Sequence, residues 1–165
     1  GYVQPHQTDR TLRILPDYPV APWDWSGMAP DIDLTMNPVQ TDETEWVKKP
    51  AYNRVYLSGE SQGILSRVTR NGTAGDLDAP MVVDPLMTNA NVAQQRGRAI
   101  LSDTGLQRIV TMNLQVLPET GLILPGTFIR RTDGAEVFQG YVRKTGVAWS
   151  DKAAMRQTIE VQTHV

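Results

Sequence analysis

The chain has 165 residues, a net charge of −2 and no cysteine, and 40% of its residues are hydrophobic. This length is enough to bury a core without metal or disulfide, and the lack of cysteine excludes disulfides, thiolate nucleophiles and Cys-based zinc sites. Acidic and basic residues are interspersed, and neither a basic stripe nor a long apolar run occurs, so we expect neither nucleic acid nor a membrane as a partner.

Residues 1–50 form a proline-rich segment, with proline at positions 5, 16, 19, 22, 30, 38 and 50. Each proline lacks a backbone N–H and restricts the residue before it, which predicts an extended segment with only short strands. Thr11–Leu15 and Asp31–Met36 have the alternation of such strands. The aromatic stretch Tyr18–Trp25 lies between them and could either pack inside the protein or contact a ligand. The start of the chain at Gly1-Tyr2 favours an excised fragment or a tag remnant as much as simple removal of Met.

Residues 51–165 are predicted to form a β-rich domain with one helix. Asn53–Ser58 and Gly63–Thr69 are β-prone runs around a short polar connection, which predicts an antiparallel hairpin. Asn71–Gly75 is typical of a glycine-bearing turn, and Met81–Val83 of a short strand that ends at the following Asp-Pro.

The predicted helix runs from about residue 89 to 103. Thr88 is expected to cap its N-terminus, and Gly105 to end it in the left-handed conformation. Gly97 costs about 1 kcal/mol relative to Ala inside a helix, so its presence indicates close approach to a neighbouring element. One face of the helix consists of small and apolar residues: Ala90, Ala93, Gly97, Ile100 and Leu101.

Three strand regions follow the helix. Ile109–Val116 and Met155–Thr163 alternate between apolar and polar residues, and each is expected to bury one face. Thr127–Arg131 and Glu136–Arg143 flank an Asp-Gly dipeptide, which is a strong hairpin signal. The predicted fold class is therefore mainly β (α+β): an antiparallel β-barrel or curled sheet with one packing helix, preceded by the extended proline-rich segment.

The sequence offers little for catalysis. His6 and His164 lie close to the ends of the chain, and no nucleophile elbow, P-loop or dinucleotide-binding motif occurs. Acidic pairs could serve a two-carboxylate glycan hydrolase or bind calcium, but solvated acids beside turns are the commoner use. We therefore predict that the chain is not an enzyme and that it has no metal site, no cofactor and no small-molecule ligand. The hydrolase candidates are Asp31 and Asp33, Asp76 and Asp78, and Asp42, Glu43 and Glu45, and the first two pairs are also the calcium candidates.

The tryptophans leave a second function open. Trp23, Trp25, Trp46 and Trp149 could line a sugar-binding groove, although core and interface positions are more usual. A carbohydrate-binding module would need Trp23, Trp25 or Trp149 exposed in a line on one face. Asn71-Gly-Thr73 matches a glycosylation acceptor but is read as a turn.

Several motifs occur in a fixed order: Tyr56-Leu-Ser-Gly-Glu-Ser-Gln-Gly63, Ala93-Gln-Gln-Arg-Gly-Arg-Ala-Ile-Leu101, Leu124-Pro-Gly126 and Gly140-Tyr-Val142. Together they resemble the hub or baseplate tail proteins of bacteriophages and prophages. The resemblance covers roughly residues 50–163. The front stretches Arg13–Pro19 and Ala21–Trp25 are similar to the segment that precedes this domain in phage and prophage tail proteins.

The resemblance implies a structural role without catalytic residues. It implies a β-domain that assembles into a ring, often a trimer, and that contacts other virion tail proteins after synthesis in the bacterial cytoplasm. If so, solvent-facing aromatic and arginine side chains are the expected interface anchors. The candidates are Trp23, Trp25, Arg130 and Arg131.

Overall fold

The structure, a computed structural model, describes residues 1–6, 8–34, 39–60, 63–133, 136–149 and 155–165; at residues 40–42 and 133 the description is of the backbone. The described chain forms two compact units: Gly1–Ala21 with Lys48–Gly105, and Pro22–Val47 with Leu106–Val165. These units interleave along the sequence, whereas the predicted division into 1–50 and 51–165 is sequential and stays a prediction. The elements in chain order are β1 (Tyr2–Pro5), β2 (Leu12–Leu15), a 3-10 helix (Pro22–Gly27), β3 (Ile32–Leu34), β4 (Val39–Lys48), β5 (Arg54–Ser58), β6 (Leu65–Thr69), β7 (Val82–Val83), α1 (Ala90–Ser102), β8 (Leu106–Gln115), β9 (Phe128–Asp133), β10 (Glu136–Ala148) and β11 (Arg156–His164).

The first unit contains two small sheets and the helix. β1 and β2 pair antiparallel as a two-stranded sheet. The second sheet has the order β6-β5-β7, with β6 antiparallel and β7 parallel to β5. The predicted hairpin over Asn53–Ser58 and Gly63–Thr69 is thus confirmed, apart from residues 61 and 62, which lie outside the described residues.

Helix α1 packs on β5 and β6 and has the predicted close approach. A Cβ atom on Gly97 would lie 2.5 Å from Cγ2 and 2.7 Å from Cβ of Val68, so only glycine fits there. The N-cap prediction was wrong by one residue: Asn89, not Thr88, accepts the N–H of Val92 at 3.0 Å. Gly105 does have a positive φ of 81°, as predicted.

The second unit is built on one six-stranded sheet with the order β3-β9-β10-β11-β8-β4. The pairs from β9 to β8 are antiparallel, which confirms the predicted hairpin of β9 and β10; Gly134 and Ala135 in its turn lie outside the described residues. β3 joins β9 in parallel, and Asp31 fixes this junction by accepting the N–H of Phe128 at 2.8 Å.

One face of this sheet carries the core of the unit. The core cluster draws on β3, β8, β9, β10 and β11 and consists of Leu34, Val110, Met112, Leu114, Ile123, Ile129, Val142, Ile159 and Val161. The buried Gln157 fastens the loop before β9 over this face, because its Oε1 accepts the N–H of Ile123 at 2.9 Å and its Nε2 donates to Gly121 O at 3.2 Å. Because both the Oε1 and the Nε2 of this buried amide have partners, its hydrogen bonds offset the cost of desolvation while they hold the loop.

The mainly β prediction is confirmed, but two parts of the predicted fold are corrected. The sheets of the described chain do not close into a barrel, since β3 and β4 remain the two edges of the largest one. The expectation of only short strands in the proline-rich segment was also wrong, because this segment supplies the ten-residue strand β4, and it contains a 3-10 helix as well. The predicted strand Asp31–Met36 is seen as Ile32–Leu34, and Thr35 and Met36 lie outside the described residues.

Candidate protein-binding surface

An aromatic cluster lies on the sheet face opposite the core of the second unit. Neighbouring residues in a strand point to opposite faces, so Phe128 points away from the core residue Ile129. Trp25 in the 3-10 helix packs edge-on against Phe128, Tyr141 and His164, with ring centroids 5.7, 5.6 and 5.3 Å away. This packing anchors the 3-10 helix on the sheet.

A groove of about 560 Å³ opens beside this cluster, at the end of the sheet where β8 and β10 begin. Arg108 lines this groove, with its guanidinium 4.5 Å from the ring centroid of Phe138 and 5.7 Å from that of Trp46. Glu136 forms an ion pair with Arg108. Because this cation is neutralised and stacked between rings, the groove is suited to protein contact more than to capture of an anion.

The edge strand β4 borders the groove and is exposed over much of its length. The consecutive residues Glu43, Thr44, Glu45 and Trp46 are all exposed, and the Trp46 side chain retains 56% of its accessible surface. Since consecutive strand residues point to opposite faces, this part of β4 is bare, meaning exposed to solvent, on both faces of the sheet. An exposed edge of this kind presents backbone N–H and C=O groups that can pair with another strand.

The four predicted interface anchors lie in different environments. Trp25 and Arg131 are buried, at 4% and 5% exposure, so the expectation that they face solvent was wrong. Trp23 is half-buried, and Arg130 donates from Nε to Asp33 at 3.1 Å. That hydrogen bond also raises the pKa of Arg130. Contact of any of the four with a partner stays a prediction.

The acidic candidates take part in local structure. Asp78 pairs with Arg54, and Asn53 donates to Asp76 at 2.9 Å. These hydrogen bonds lower the pKa of both carboxyl groups, whereas a general acid in glycoside hydrolysis needs a raised pKa. Asp33 is held by Arg130, as described above, and the side chain of Asp42 lies outside the described residues.

The remaining histidine and tryptophan residues named in the sequence analysis lie in different places. His164, although close to the end of the chain, lies within β11, and its ring contacts that of Trp25. Trp149 is 80% exposed, but burial of Trp25 removes one member of the predicted line of sugar-binding aromatics. Within the described ranges, no group of three or more His, Asp or Glu side chains could hold a metal ion. No helix in that part of the chain is long and apolar enough to cross a membrane.

Two features of the surface were missed by the sequence reading. Strand β4 was not predicted, although its β-branched residues Val39, Thr41, Thr44 and Val47 are a signal that could have indicated it. Arg108 was not singled out, and its stacking between β4 and β10 depends on pairing that sequence spacing does not reveal.

No protein-family model matches the chain, and no curated protein matches it. Several solved structures are similar to it. The tail protein from Neisseria meningitidis MC58 is similar with a TM-score of 0.50 and 11% identity, over 82% of this chain and 45% of that one. The 43 kDa tail protein of prophage MuSo2 from Shewanella oneidensis is similar with a TM-score of 0.45 and 16% identity, over 79% and 41% of the two chains. A chain of the virion of a native gene transfer agent particle is similar with a TM-score of 0.45 and 17% identity, over 83% and 33%.

At 11% identity the Neisseria likeness concerns the fold, and the chain shares its fold with part of that tail protein. The resemblance to phage tail proteins that the sequence motifs indicate is confirmed at this level. The chain spans less than half the length of each of the three structures.

Proposed function

We propose that the chain is a structural module of a phage or prophage tail, of the hub or baseplate type, and that it acts through protein contacts without catalysis. It assembles with copies of itself, as a trimer, and with other virion tail proteins. The fold shared with a tail protein supports the tail assignment. The hub or baseplate assignment and the trimer come from the resemblance of the sequence motifs.

The observation that carries the proposal is the bare edge of β4. Strand β4 is an edge strand, and its residues Glu43–Trp46 are exposed on both faces. Such an edge is an aggregation hazard unless a partner covers it or charges protect it. The apolar part of Trp46 and the stacked Arg108 beside it belong to the residue types enriched at protein interfaces. An assembly surface accounts for both the free edge and the exposed aromatic ring.

Light scattering behind a sizing column, over a range of protein concentrations, tests the proposal. We expect a species of three times the 18.3 kDa mass of one chain, with a ring visible by negative-stain electron microscopy. A stable interface of this kind should bury roughly 1,000 Å² or more. A monomer at every concentration, with no binding to purified tail proteins of a related phage, would contradict the assembly role.

A glycan array provides the control for the alternative function. The proposal expects no binding by the wild-type chain to any glycan. Binding that is lost in Trp149→Ala would instead support the carbohydrate-binding alternative, because Trp149 is the most exposed tryptophan of the described chain.

A further inference from the structure

The N-terminal hairpin of β1 and β2 presents an apolar surface that the described chain leaves uncovered. Val3 and Ile14 are cross-strand partners and are 60% and 83% exposed, and Leu12 is 72% exposed. No other described helix or strand packs extensively on the hairpin. An isolated two-stranded hairpin is only marginally stable in water. A surface that covers the apolar side chains of this hairpin would therefore stabilise it.

Strand β2 has the same kind of exposure as β4. Its consecutive residues Leu12, Arg13 and Ile14 are all exposed, so this strand is also bare on both faces. Each of the two strands lies at the edge of its sheet. Two such strands can pair without displacing any packed side chain.

The charges on β2 and β4 favour one of the possible pairings between the strands of two copies. Glu43 and Glu45 make the exposed part of β4 acidic, so two copies of β4 side by side would bring acids close together. Strand β2 carries Arg13, and the turn before it carries Arg10 next to Asp9, which lies beside His6. Neither arginine has an ion-pair partner within the described ranges. Glu43 and Glu45 likewise have none there. The basic strand therefore complements the acidic one.

We propose that β2 of one copy pairs with the β4 edge of a second copy. If Arg13 lies opposite Glu45, an aliphatic residue falls opposite Trp46 in either direction: Leu12 when the strands are antiparallel, and Ile14 when they are parallel. Either pairing places Arg13 opposite Glu45 and at the same time covers the exposed ring of Trp46 with an aliphatic side chain. The proposal rests on the proposed assembly role and names the two surfaces that meet.

This pairing is head-to-tail, because the two surfaces differ. Each copy has one β2 and one β4 edge. A row of paired copies therefore keeps an unpaired β2 at one end and an unpaired β4 edge at the other. Such an arrangement closes into a ring when the rotation between copies allows it. The hairpin then extends the neighbour's six-stranded sheet and covers its open edge.

Charge exchange tests the pairing. Arg13→Glu and Glu45→Arg should each raise the dissociation constant of self-association about fivefold, measured by analytical ultracentrifugation at low salt. The double variant should restore the wild-type value, because the pair is reversed and kept. Restoration also shows that neither change acts by unfolding the chain.

A mixing experiment tests the direction of the contact. Leu12→Asp breaks the hairpin surface and Trp46→Asp breaks the edge surface, and each variant alone should lose self-association by about tenfold or more. A mixture of the two should form dimers with one of each and nothing larger. Leu65→Asp, at an equally exposed aliphatic residue on β6, is the matched control and should assemble as the wild type does.

Two results overturn the inference in different ways. If the wild type assembles and all hairpin and edge variants assemble equally well, the pairing is wrong while the proposed tail role stands. If the wild type is monomeric at every concentration, the pairing fails, and the proposed tail role fails with it only when the chain also binds none of the purified tail proteins. Larger assemblies in the Leu12→Asp and Trp46→Asp mixture would show that the contact is not head-to-tail between these strands.

Discussion

Replacement of Trp25 by alanine separates a core role from an interface role. Trp25 is 4% exposed and packs edge-on against three rings. Loss of a buried tryptophan side chain costs about 3–5 kcal/mol in total, and this total includes the aromatic pairs, each worth about 0.5–1.5 kcal/mol. We therefore expect Trp25→Ala to lower the free energy of unfolding by about 4 kcal/mol.

Urea unfolding followed by circular dichroism measures this change, and hydrogen exchange of β9 and β10 amides locates it. Trp23→Ala is the matched control: Trp23 is half-buried in the same 3-10 helix, so we expect a loss of about 1 kcal/mol or less. Trp25→Phe should recover part of the loss because it keeps one ring in the cluster. If Trp25→Ala leaves the free energy of unfolding unchanged but abolishes self-association, Trp25 belongs to an interface and its role in the core is refuted.

Three further predictions concern packing, a buried amide and a pKa. Gly97→Ala should lower the free energy of unfolding by about 1–2 kcal/mol instead of adding helix stability, and Val68→Ala should reduce that loss; a stabilised Gly97→Ala would show that the helix can move away. Gln157→Ala should cost about 1–3 kcal/mol and speed amide exchange in the loop that it holds; slow exchange in that loop would contradict its role. Asp78 has a pKa lowered by the hydrogen bond from Arg54, so its contribution to stability is present above the unfolded pKa and is lost as pH falls through the folded one. Arg54→Ala should raise the pKa of Asp78 in an NMR titration, and an unchanged value would refute the pairing.

The sequence predicted the elements that depend on local signals. The hairpin of β9 and β10 follows from an Asp-Gly between β-prone runs, and α1 from its apolar face and the glycine after it. The open sheet could not be predicted in the same way. Its edges are set by contacts between distant segments, such as the parallel pairing of Ile32 with Ile129, and local alternation does not distinguish an open sheet from a closed one.

The candidate interface residues show what spacing can and cannot decide. Arg130 and Arg131 are neighbours in β9, so they must point to opposite faces, and the sequence could have predicted that only one would face solvent. Trp23 and Trp25 lie two apart in a 3-10 helix with three residues per turn, so they also point in different directions. Which of the two points inward depends on the rings of β9, β10 and β11, which lie more than a hundred residues away along the chain.

Strand β2 was predicted from the alternation of Thr11–Leu15, whereas strand β4 shows why the other proposed assembly surface was hard to recognise. A buried strand shows alternation because one face meets the core, but a strand that is bare on both faces has no such requirement. Glu43-Thr-Glu-Trp46 therefore looks like a solvated connection in the sequence, although its backbone is a regular strand. The exposure on both faces that removes this periodicity from β4 also leaves the strand accessible to another chain. In the proposed pairing, the opposite charges on β2 and β4 select the partner strand, which the hydrophobic pattern alone does not do.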